Sequence, residues 1–153
     1  MKDLLNLGQM LSAHARLSPN RIGARDLDRA MTFAQWNERS CRLANALLGL
    51  GLSKGDRVAV LAYNCIEWVE IYAATAKAGL VAVPINFRLV GAEVRFIVEN
   101  AEASAIIVQD ELAGVVEEVR ADLPIPAGNF IHFGASSTSG CARARPDTAP
   151  TRT

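Results

Sequence analysis

Between Arg57 and Arg88 the apolar residues come in blocks, and the blocks are spaced as alternating strand and helix. Arg57 to Ala62 is a short β-branched apolar run entered through Lys54-Gly55-Asp56, which suits a strand buried on both faces of a parallel sheet. Asn64 and Glu67 have the spacing of an Asn-x-x-Glu capping box, so a helix is predicted from there to Ala78. Gly79 closes it, because a residue without a Cβ can take the left-handed conformation of a helix end. A second apolar run, Leu80 to Val83, stops at Pro84. Two buried strands joined by such a helix make a βαβ unit, for which a right-handed crossover is expected.

The same reading extends in both directions. Leu4, Leu7, Leu11 and Ala15 recur at helical spacing before Ser18-Pro19. A helix this short is not stable alone and must dock on the body. Arg21 to Arg25 and Ala30 to Thr32 flank Asp26-Leu27-Asp28-Arg29, the pattern of a small hairpin at the sheet edge. Thr32-Phe33-Ala34-Gln35 is a capping box that opens a helix with Phe33, Trp36, Leu43, Leu47 and Leu50 on one side, and Gly51 ends it. After Asn86-Phe87-Arg88 a helix is predicted over 91–100 with Val94, Ile97 and Val98 inward. Ala105 to Val108 is the third buried strand. Asp110 caps a helix carrying Leu112, Val115, Val116 and Val119, broken by Leu123-Pro124-Ile125-Pro126. Asn129 to Phe133 is the fourth strand. The expected fold is α/β, an open and mostly parallel sheet with helices on both faces.

Composition narrows the function classes. At 153 residues the chain is one domain's worth, 50% hydrophobic and 21% charged. Lys plus Arg and Asp plus Glu number 16 each, so no overall basic field draws nucleic acid or an anionic membrane. No apolar run approaches the roughly 20 residues that cross a bilayer, and the amino terminus carries Asp3 and Asn6 where a secretory signal needs an apolar stretch. Cys41, Cys65 and Cys141 are odd in number and form no CxxC or Cys/His cluster, which points to reduced thiols and a cytoplasmic setting. Cys41 and Cys65 fall within predicted helices and read as small core residues. Gly49-x-Gly51-x-x-x-Gly55 follows a helix and opens a strand, the reverse of a dinucleotide-binding loop, and reads as a helix cap and a turn. From Ala135 to Thr153 no large apolar residue occurs, so residues 1–134 are expected to form the folded subdomain and 135–153 a disordered tail or linker.

Several motifs in order carry a resemblance: Thr32-Phe33-x-Gln35-Trp36, Arg42-Leu43-Ala44-Asn45-x-Leu47, Gly51-Leu52-x-Lys54-Gly55-Asp56-Arg57-Val58-Ala59, Asn64-x-x-Glu67, Ala76-x-x-Gly79 and Val83-Pro84-Ile85-Asn86-Phe87-Arg88-Leu89. Together they resemble the amino-terminal segment of the AMP-forming acyl-CoA synthetases, within the adenylate-forming superfamily. The resemblance runs from about Leu4 to Phe133 and would be roughly the first quarter of a family member. It implies a flavodoxin-like subdomain of an enzyme that joins ATP and a carboxylate into an acyl-adenylate and then passes the acyl group to coenzyme A. It also implies ATP, Mg²⁺ and coenzyme A for the whole enzyme, with the phosphate-cradling loop and the catalytic lysine in segments beyond this one. Ser136-Ser137-Thr138-Ser139-Gly140 has the composition of that loop, but Cys141-Ala142-Arg143-Ala144-Arg145-Pro146 follows where more small residues and a Lys belong. Trp36 stands where the family usually has Leu, and Val90 replaces a hydroxyl cap, leaving Gly91 or water to serve the helix start.

Ligands of an open parallel sheet gather beyond the carboxyl ends of its strands, here Tyr63-Asn64, Asn86-Phe87-Arg88, Gln109-Asp110 and His132. Asn86, Arg88 and His132 are therefore the candidates for a substrate pocket or subdomain interface. Arg88 can meet a phosphate or carboxylate in bidentate fashion, although an ion pair is the simpler role. His132 alternates with Ile131 and Phe133 as a sheet-face histidine. His14 reads as surface or arm packing. Glu67 and Glu70 lack a partner at metal spacing, and Glu67 reads as a cap. No catalytic, cofactor-binding or metal-binding residue is expected in this segment itself. The expected partners are the remainder of a synthetase chain and, through an apolar face that such a segment would leave bare, a second copy of itself. The alternative is a non-enzymatic interaction or assembly module that retains only the scaffold.

Overall fold

The computed structural model describes residues 6–134 and the backbone of 143–144. In chain order the elements are α1 (Leu7–Leu17), β1 (Ile22–Arg25), β2 (Ala30–Thr32), α2 (Phe33–Gly49), β3 (Arg57–Leu61), α3 (Glu67–Ala78), β4 (Val81–Ile85), α4 (Gly91–Asn100), β5 (Ala103–Gln109), α5 (Ala113–Glu117), β6 (Phe130–Phe133) and β7 (Arg143–Ala144). Chain contacts divide these into two compact units, Met1–Asp56 with Tyr63–Ala82, and Arg57–Ala62 with Val83–Thr153.

The first unit is helical. The Asn6 side chain accepts from the Gln9 N–H at 2.9 Å while Gln9 returns the contact at 3.0 Å, a capping box that starts α1. The expected first apolar position of this arm, Leu4, lies outside the described residues. Thr32 and Gln35 make the predicted box at the start of α2, and Ser40, Leu43, Ala44 and Leu47 form its buried stripe. β1 and β2 pair antiparallel as predicted, but in a sheet of their own and not at the edge of the larger one.

α3 departs from expectation at its start. It begins at Glu67 with no side-chain cap from its own N-cap residue, Ile66. Asn64 and Cys65 therefore precede the helix. Its end is as expected, with Gly79 at φ 72°. A Cβ at Gly79 would also sit 3.1 Å from Lys54 Cγ.

The second unit contains the sheet, ordered β4-β3-β5-β6-β7. β4, β3, β5 and β6 run parallel, and β7 adds antiparallel to β6. Apart from the backbone of Arg143–Ala144, the tail expected to be disordered lies outside the described residues, as does the Ser136 to Gly140 stretch. β3 and β5 pair Val58 with Ala105, Ala59 with Ile106, Val60 with Ile107 and Leu61 with Val108. Ala59, Leu61, Ile106 and Val108 belong to one core with Val94 and Val98 of α4, Val116 of α5 and Phe130 of β6. The alternate positions Val58, Val60 and Ile107 are no more than 1% exposed, so both faces of the central strands are shielded from water.

Three local expectations give way to packing. Pro84 lies inside β4, where the terminal place in the sheet leaves one side of the strand without a ladder to interrupt. The helix predicted after Asp110 shrinks to a 3₁₀ turn, Asp110–Leu112, followed by five α-helical residues. Gly114 and the β-branched Val115 and Val116 weaken its helical propensity. At α4, valine offers no acceptor, and the Val90 N–H donates instead to Glu93 at 3.1 Å, a reversed half of a capping box in place of Gly91 or water. Ile106→Ala should lower the unfolding free energy by about 3 kcal/mol, as a fully buried site that cannot collapse. Leu27→Ala, at a residue 96% exposed, should change it by under about 0.5 kcal/mol, both read from urea midpoints.

Candidate functional site

Numbered by chain order, the four parallel strands lie 2-1-3-4, so the connections leave β3 in opposite directions and the topological switch falls between β3 and β5. A doubly wound sheet binds ligands outside the carboxyl ends at this point. The loop leaving β3, Ala62-Tyr63-Asn64-Cys65-Ile66, contains no glycine and so does not make a phosphate-cradling turn. Beyond β5 stands Asp110. Its Oδ1 is 4.0 Å from Nδ1 of His132, which occupies β6 opposite Val108 and is 6% exposed. Gly134 follows at φ 150°, and a Cβ there would lie 2.9 Å from Asp110 Oδ2. Glycine thus lets β6 leave the sheet directly over the aspartate.

Asn86 and Arg88 do not join this pair. They follow β4, three strand places from β6, which at about 4.8 Å per place is about 14 Å across the sheet. Both are exposed. The Asn86 side chain accepts from the Arg88 N–H at 3.0 Å, and the Arg88 guanidinium lies 5.6 Å from the Phe87 ring centre. Asn86 therefore shapes the turn, and Arg88 rests on an aromatic face with its charge toward water. Among the described residues no three His, Cys, Asp or Glu side chains are grouped to hold a metal ion. Among the described residues, the switch-point loop lacks glycine, and Asn86 and Arg88 lie apart from the Asp110 and His132 pair at the carboxyl edge.

The best-developed polar cluster of the first unit lies at the start of α3, and its central members were not evident from sequence. Asp26 and Arg29 of the hairpin turn reach Glu67, which does not cap the helix. The Arg29 guanidinium donates to Glu67 and, at 2.8 Å, to Asp26. Asp26 accepts from the Leu27 N–H at 2.6 Å and from the Ile66 N–H at 3.3 Å. The hairpin supplies the acceptor that Asn64 does not. The side-chain bond from Arg29, then the Leu27 N–H, holds the Asp26 carboxyl below its ordinary range. Burial pushes Glu67 upward, but the bonds from Arg29, its own backbone and Cys65 together outweigh it and leave the pKa lowered. Burial and then the Glu67 carboxylate push the Cys65 thiol up to about 12. The thiol is a protonated donor at neutral pH, a poor nucleophile.

Glu70 points elsewhere, so Glu67 and Glu70 do not work as a pair. Only 6% exposed, Glu70 has its Oε1 2.7 Å from Arg39 Nε of α2. Burial raises its pKa despite Arg39. Trp36 also ties α2 to α3, its Nε1–H donating to the Val69 carbonyl at 2.9 Å. Exposed His14 stacks on Phe33 with ring centres 5.0 Å apart. The Tyr63 carbonyl accepts from Trp68 Nε1–H at 2.9 Å. The Asp-x-x-Arg spacing of the hairpin turn was the available sequence signal for the cluster, but nothing local shows that it reaches Glu67.

The two carboxylates of the cluster and Glu70 act on stability with opposite sign. Lowered folded-state values for Asp26 and Glu67 mean that their contribution is present at neutral pH and disappears as pH falls through and below about 4. Arg29→Ala should flatten that acid limb of a stability–pH curve. The raised value of Glu70 acts in reverse, favouring the fold as pH falls through its folded pKa, and Glu70→Gln should remove this component. Cys65 should resist iodoacetamide at pH 8, and Glu67→Gln should speed its alkylation, as read by peptide-resolved mass spectrometry.

With this geometry in view, comparison with known proteins places the chain. The family described as AMP-binding enzyme matches residues 11–149. The long-chain-fatty-acid–CoA ligase FadD13 of Mycobacterium tuberculosis is 39% identical over 135 residues, 86% of this chain and 27% of that protein. The fatty acid–[acyl-carrier-protein] ligase ScoC of Streptomyces coeruleorubidus is 36% identical over 122 residues, 80% of this chain and 24% of its own length. The solved structure of the anthranilate CoA ligase AuaEII in complex with anthranoyl-AMP superposes with a TM-score of 0.78 at 29% identity, covering 84% of this chain and 25% of that one. The chain spans about a quarter of the length of these relatives. A family match across nearly the whole chain, with an α/β fold shared by a solved ligase, makes this chain a member of the AMP-binding enzyme family that corresponds to the amino-terminal segment of acyl-CoA ligases.

Proposed function

We propose that this chain is the amino-terminal scaffold of an ATP-dependent, AMP-forming acyl-CoA synthetase acting on a fatty acid or a related carboxylate. The reading rests on one observation: ligases named for fatty acids align with 80% and 86% of this chain through only about a quarter of their own length. Activation of a carboxylate requires cradling of the triphosphate, charge neutralisation at the transferring phosphorus and a fixed line of attack. The described residues offer a rigid doubly buried sheet, a polar carboxyl edge with Asp110 and His132 together, and Asn86 and Arg88 held apart from them. That arrangement supports other segments better than it performs the reaction. The remainder of a synthetase chain is then its partner, bringing ATP, Mg²⁺ and coenzyme A, and the cytoplasm and fatty-acid metabolism are its setting.

These 153 residues alone are expected to give no fatty-acid-dependent exchange of pyrophosphate into ATP, measured with a panel of short, medium and long acids. Exchange that depends on the acid and saturates with it would overturn the scaffold reading.

A further inference from the structure

We propose that α1 is a detachable strap whose latch is Lys77. The helix has eleven residues, too few to persist once it leaves the surface, so its docked and undocked forms are also its ordered and melted forms. Its hold on the first unit is narrow. Leu11 is its one buried large side chain, at 3% exposure, whereas Leu7, Met10 and Leu17 are 44%, 48% and 81% exposed. What remains is the His14 ring stacked on Phe33 of α2, with ring centres 5.0 Å apart, and a set of contacts to a single residue of α3. The Lys77 ammonium donates to Ser12 Oγ at 2.6 Å and to the Gly8 carbonyl at 3.2 Å. The Ser12 hydroxyl donates back along the helix to Gly8 at 2.9 Å and lies 3.2 Å from Asn37 Oδ1 of α2. The same lysine supplies the apolar contact. Gly8 is buried against it so closely that a Cβ would stand 2.7 Å from Lys77 Cγ and 3.2 Å from its backbone. One side chain thus ties α1 to α3 through its stem and its charge, and Ser12 relays the tie to α2. Although Ser12 and Lys77 are close, the lysine is the donor and the hydroxyl proton has an acceptor in Gly8, so the pair fastens the helix and does not activate a nucleophile.

A short helix held by so few contacts opens as a unit while the rest stays folded. Lys77→Met keeps the unbranched stem and removes the charge, and Gly8→Ala wedges the contact from the other side. Hydrogen–deuterium exchange read by mass spectrometry should show amides of residues 11–17 exchanging about tenfold faster in each variant, with residues 43–47 of α2 and 103–109 of β5 within about threefold of the parent. Ser12→Ala, which removes the relay without altering volume at Gly8, should show a smaller change confined to the same helix. Unchanged exchange in α1 for both Lys77→Met and Gly8→Ala would overturn the proposal. So would acceleration spread evenly over α1, α2 and β5, or a Lys77→Met chain that cannot fold, since a strap is dispensable to what it covers.

Discussion

Burial of the central strands on both faces is the constraint from which the rest follows. Val58, Ala59, Val60 and Leu61, together with Ala105, Ile106, Ile107 and Val108, are no more than 1% exposed, so the paired middle of β3 and β5 is wholly apolar and Arg57, Ser104 and Gln109 stand near the strand ends. From Val58 to Leu61 the backbone of β3 is paired in parallel register with Ala105 to Val108 of β5. Chemistry is thereby driven to the carboxyl ends, where strands give way to loops. The edge strand β4, which carries no such demand on both sides, accommodates Pro84 and passes directly into the Asn86 turn.

What that edge offers is polar but dispersed. Asp110 and His132 meet across β5 and β6, and the glycine at 134 clears space above the aspartate. Arg88 is separated from them by the width of the sheet. A machine that holds a triphosphate needs several donors converging on one point, and these groups diverge. The contrast gives the scaffold reading its physical content, since the chain spans only about a quarter of the length of the ligases it matches.

The order and type of the sheet elements were legible in the sequence because doubly buried strands are written as unbroken apolar runs, and because Thr32 with Gln35 and Gly79 mark helix ends by local chemistry. Legibility failed where the deciding partner was distant. Asn64 and Glu67 have the spacing of a cap, yet the acceptor at the start of α3 comes from Asp26, forty residues earlier, while Glu67 is drawn off by Arg29. Cys65 was placed inside a helix for the same reason. Likewise the hairpin could be read from its own turn, but its separation from the main sheet could not. The candidate residues Asn86, Arg88 and His132 were placed at strand ends from sequence, while their separation depends on strand order, which a linear pattern does not contain.

The account stands most directly on the ligand response of the chain itself. Differential scanning calorimetry with millimolar ATP and Mg²⁺, with and without a fatty acid, reports any affinity for the folded state as a rise in melting temperature through mass action. The account predicts a melting temperature that does not move with nucleotide concentration. A saturable rise with ATP–Mg²⁺ would contradict it, because a sheet without converging donors would then have built a nucleotide site unaided.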